Sequence, residues 1–149
     1  MTEHTWTVRV ERVGEKHARA YTRNHAFSVG EQAGFEESDP HPSAVEYLLA
    51  ALGGDLIRGF ETQAARKRVA VDALELRLSG RLNNPLTHLG VVGETGHPGL
   101  ESAEGTLYVS ADADAAVLEE MWRETLTRSP LFNTLRRCAA IAIALRVMP

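Results

Sequence analysis

At 149 residues, with 44% hydrophobic and 24% charged side chains, the sequence reads as one globular domain over 1–149 with room for a core, unlike a disordered chain. A net charge of −4, with Lys and Arg grouped only at Arg66-Lys67-Arg68 and Arg136-Arg137, argues against a nucleic-acid-binding surface. The lone Cys138 rules out an internal disulfide and a multi-cysteine zinc site; with no leader-like run after Met1 and no long charge-free stretch, the expected location is the cytoplasm and not a membrane.

The first element is a strand, because Thr5-Trp6-Thr7-Val8-Arg9-Val10-Glu11 alternates polar and apolar residues. Gly14 marks a turn in Val13–Lys16, and His17–Thr22 and Ala26–Val29 follow as second and third strands of a β-meander. Gly30–Pro42 carries two Gly, two Pro and several acids and reads as an irregular loop. Ser43 stands three residues before Glu46, the capping-box spacing in which each side chain satisfies a free N–H at a helix start. From Ala44 to Phe60 nearly every residue is apolar or glycine, so a helix covered on most of its surface is expected, with Glu61–Arg68 returning to solvent. Gly53-Gly54 costs about 1 kcal/mol per residue against Ala, which suggests close packing or a kink.

Val69–Leu82 alternates, then changes phase after Ala73, as a bulged strand would. Gly105–Ala111 reads as its hairpin partner, with Asn83–Glu104 as a long, mobile surface loop. Asp114 caps a helix running to Arg128, Pro130 starts another, and Ala139–Val147 closes the fold as a strand with apolar residues on both faces.

Among residues that could carry chemistry, Asp55 stands out, since a carboxylate is misplaced at the margin of an apolar helix stripe. It either pairs with Arg58 three residues on or faces a pocket with a partner of its own. Ser129-Pro130 reads first as an N-cap with proline at the first helical position, and no Gly-x-Ser-x-Gly motif supports a serine nucleophile. Six histidines never take ligand spacing, so no metal or other cofactor is expected. Cys138, beside Arg136 and Arg137, is either a reactive thiol or a small buried hydrophobe.

The segment Pro42-Ser43-Ala44-Val45-Glu46-Tyr47-Leu48-Leu49-Ala50-Ala51-Leu52-Gly53-Gly54-Asp55 resembles the Pro-Ser-Pro-x-Glu-Leu-Leu-Leu-x-Ala-Leu-Gly-Gly-Cys helix of the OsmC/Ohr family. Ser129-Pro130-Leu131 is similar to that family's Cys-Pro-Val segment, and Arg23-Asn24-His25 to its Arg-Gly-His. The resemblance covers essentially the whole chain. It implies an α+β, OsmC-like fold, built from a β-meander, a long buried helix, a hairpin, a helical segment and a closing strand. It also implies an intertwined homodimer with pockets at the subunit interface.

In that family two cysteines reduce organic hydroperoxides through a sulfenic acid and a disulfide. The matching positions here are Asp55 and Ser129, which the resemblance places close together and which cannot run a thiol cycle. The leading expectation is therefore a non-peroxidase relative that binds a small, partly apolar molecule through Asp55, Ser129 and Arg23. Two alternatives stay open: Asp55 as a general acid or base, and residual peroxidase activity through Cys138.

Overall fold

The computed structural model describes residues 3–31 and 39–149, so the middle of the Gly30–Pro42 loop lies outside the described residues. The chain forms two compact units, Met1–Leu48 and Leu49–Pro149.

The first unit is the expected meander of β1 (Arg9–Val13), β2 (His17–Thr22) and β3 (His25–Val29), antiparallel in the order β1-β2-β3. The first strand starts at Arg9, four residues later than its alternating pattern does. The β1–β2 turn places Gly14 at φ 64, a left-handed conformation that costs glycine little. One face of this sheet gathers Val10, Ala20 and Phe27 in register, and the Phe27 ring lies 5.1 Å from that of Tyr47, whose hydroxyl donates to the Ser28 carbonyl at 2.7 Å.

Helix α1 spans Ala44–Lys67. Its start is the capping box read from sequence: the Ser43 amide donates to Glu46 Oε2 at 2.7 Å, and the Glu46 amide donates to Ser43 Oγ at 3.3 Å. Arg66 and Lys67 occupy the last turn, where cations complement the free carbonyls. The buried positions Leu52, Leu56, Phe60, Gln63 and Ala64 form one stripe that continues beyond Phe60, so the polar end of the helix is packed as well. Against expectation the rest of the surface is open within this chain. Leu48 is 37% exposed and Ala50, Ala51 and Gly54 are exposed, because the packed elements cover one side of α1.

The second unit pairs β4 (Val71–Leu82) antiparallel with β5 (Leu100–Ala111), and β5 parallel with β6 (Ala140–Val147). The hairpin and the register shift between Val71 and Ala73 match the sequence pattern. The parallel β5–β6 pair needs a crossover, which α3 (Ala115–Arg128) and α4 (Pro130–Leu135) supply. Alternation sends Leu74, Leu76, Leu107, Val109, Ile141 and Leu145 to one sheet face, where they meet the α1 stripe and Leu118, Met121 and Trp122 of α3. On β6 the bulky residues take that face, and Ala140, Ala142 and Ala144 turn outward and exposed, so only one of its faces is core. Each fully buried side chain of this size contributes about 1.5–3 kcal/mol.

Strand β5 begins five residues before its predicted start, and the reason lies across the ladder. A Cβ on Gly105 would come within 2.1 Å of the Arg77 carbonyl oxygen, so this position excludes a side chain and its glycine marks close approach, not a strand end. The intervening loop is more ordered than its composition suggests. It holds the one-turn helix α2 (Pro85–His88), which Asn84 caps by accepting from the Leu86 and Thr87 amides. The Asn83 and Asn84 amides donate to the Gly99 and His97 carbonyls, closing the loop base.

Candidate functional site

Asp55 and Ser129, 74 positions apart, meet: the Ser129 hydroxyl donates to Asp55 Oδ2 at 2.5 Å. Two local sequence features bring this about. Asp55 lies in the middle of α1, next to the buried Leu56, and is itself half-buried on the flank that meets α4. Ser129 lies between α3 and α4 in extended backbone, φ −68 and ψ 120, where Pro130 opens the next helix.

Ser129 is 5% exposed and fully engaged. Its Oγ accepts from the Phe132 amide at 3.0 Å, the N-cap bond, while its own proton goes to Asp55. Asp55 Oδ2 also faces the Leu131 amide at 3.4 Å. Aspartate and serine therefore divide the first free N–H groups of α4 between them.

Arg58, the local alternative for Asp55, is taken by Glu61 at 2.5 Å on the exposed side of α1. The sequence reading did not single out Asn133, which fastens the junction. Its side-chain amide donates to the carbonyls of Leu126 at 2.8 Å, Thr127 at 3.1 Å and Ser129 at 2.7 Å. It thereby satisfies the Leu126 and Thr127 carbonyls left free at the end of α3, adds to the bond that the Asn133 backbone amide makes to the Ser129 carbonyl, and fixes the backbone that aims Ser129. The only hint was an asparagine four residues after a predicted cap.

Arg23 belongs to the first unit and is described by its own turn, Thr22–His25, where it adopts φ 50. A non-glycine residue in that left-handed region is strained, and such strain is concentrated at functional turns. Cys138 is exposed, its thiol donating to the Leu135 carbonyl at 3.3 Å just after α4. It is thus not the buried hydrophobe that was one of its two readings.

An apolar groove of about 310 Å³ runs between Leu49, Ala50, Gly53, Gly54 and Ile57 of α1 and Leu76 and Leu78 of β4. At about 3.6 residues per turn, Asp55 falls on the far side of α1 from these residues, so groove and polar pair are separate. A Cβ on Gly53 would make only ordinary contact, and one on Gly54 would meet nothing within 4 Å, so packing inside this chain does not require the glycine pair. Among the described residues, no three His, Cys, Asp or Glu are placed to hold a metal ion, and no helix is long and apolar enough to cross a membrane.

The family profile described as OsmC-like protein matches residues 36–144, most of the chain and both partners of the hydrogen-bonded pair. The chain belongs to the OsmC-like family. Its structure is similar to that of an OsmC-like protein from Mycoplasma pneumoniae, at TM-score 0.84 and 14% identity, covering 99% of this chain and 100% of that one. An OsmC-like protein of unknown function from Vibrio cholerae matches at TM-score 0.71 and 14% identity, covering 99% and 100%. The organic hydroperoxide resistance protein of Bacillus subtilis matches at TM-score 0.63 and 14% identity, covering 96% and 98%. At these identities the likeness concerns the fold. No curated protein matches the chain. The OsmC-like α+β architecture expected from sequence is the one observed.

Proposed function

We propose that this OsmC-like chain is a single-domain, cytoplasmic member of the family that does not reduce hydroperoxides through a thiol cycle. It binds a small, partly apolar molecule at the interface of a homodimer, with Asp55, Ser129 and Arg23 as polar contacts. The observation that carries this reading is the bond between Asp55 and Ser129, the two residues that the sequence resemblance sets against the family's redox cysteines. Neither side chain forms a sulfenic acid or a disulfide. The one thiol, Cys138, lies nine residues past Ser129 and matches neither position. The homodimer is supported by the open apolar side of α1, where Leu48, Ala50, Ala51 and Gly54 are uncovered and the Gly53-Gly54 pair has no packing role of its own.

The test is turnover of an organic hydroperoxide with a dithiol reductant. Turnover at the background level of the reductant alone is expected, for the wild type and for Cys138→Ser alike. Substantial turnover that disappears in Cys138→Ser would overturn the proposal in favour of a one-cysteine peroxidase.

A further inference from the structure

We draw no further inference here: the strongest candidate, the apolar groove between Leu49, Gly53 and Ile57 of α1 and Leu76 and Leu78 of β4, carries nothing because nothing in the structure shows what covers it.

Discussion

The bond between Ser129 and Asp55 should be measurable as a coupling between two substitutions. Ser129→Ala removes the hydroxyl's donation to Asp55 and its acceptance from the Phe132 amide. A hydrogen bond to a charged group contributes about 1.5–3 kcal/mol and an N-cap about 1 kcal/mol. Ser129 is 5% exposed, so water replaces little of either, and a loss of about 3 kcal/mol is expected. Asp55→Ala breaks the same bond from the other side and leaves the Ser129 hydroxyl without its acceptor. It also removes a half-buried charge whose desolvation opposed folding, so about 2 kcal/mol is expected. The double mutant loses the shared bond once, which limits its total to about 3–4 kcal/mol and makes the coupling about 1–2 kcal/mol. Urea unfolding followed by circular dichroism gives all four stabilities, at one fixed protein concentration because association would add to each of them. Losses that add to within about 0.5 kcal/mol would refute the bond as a stabilising contact.

Gly105→Ala should destabilise the β4–β5 hairpin by about 2–3 kcal/mol or more, because its Cβ would stand 2.1 Å from a backbone carbonyl that only a shift of β4 can move. Gly80→Ala should cost less, since its Cβ would meet only the flexible ends of Leu49 and Leu100 at 3.1 to 3.2 Å; urea midpoints of equal size for the two variants would contradict the observed register. Asp39 accepts from the His41 and Glu31 amides, at 2.9 and 2.6 Å, and those two bonds hold its carboxyl below the usual aspartate value. A depressed folded pKa gives stabilisation that is complete above the unfolded value of about 4 and is lost as pH falls through the folded one. Thermal melts between neutral pH and strong acid should therefore fall more steeply below about pH 4 for the wild type than for Asp39→Asn, and parallel curves would show that these bonds do not act on folding.

What was legible in the sequence is what depends on neighbours along the chain. The capping box at Ser43 and Glu46, the meander, the hairpin and the cap at Ser129 each follow from residues within a few positions of one another, and each is present. The early start of β5 was hidden because Gly105 is explained by the Arg77 carbonyl on another strand, while a glycine in a sequence window looks like a break. The open side of α1 was hidden for a related reason. An apolar run states that a surface needs cover, and the cover within this chain reaches only one side of the helix.

Asp55 shows how far a local rule goes before a tertiary contact overrides it. Asp55 precedes Arg58 by three residues and Glu61 follows it by three, so both acids are within reach of the guanidinium. The acid-before-base order is the better of the two on a helix, which by itself favours Asp55. The structure chooses Glu61, whose longer side chain meets Arg58 on the exposed face, and turns Asp55 towards two donors at the start of α4 that would otherwise have lost water without a partner. An exposed ion pair contributes about 0–1 kcal/mol, less than leaving a buried hydroxyl unsatisfied costs. The folded chain therefore gives the arginine to Glu61 at the surface and the aspartate to Ser129.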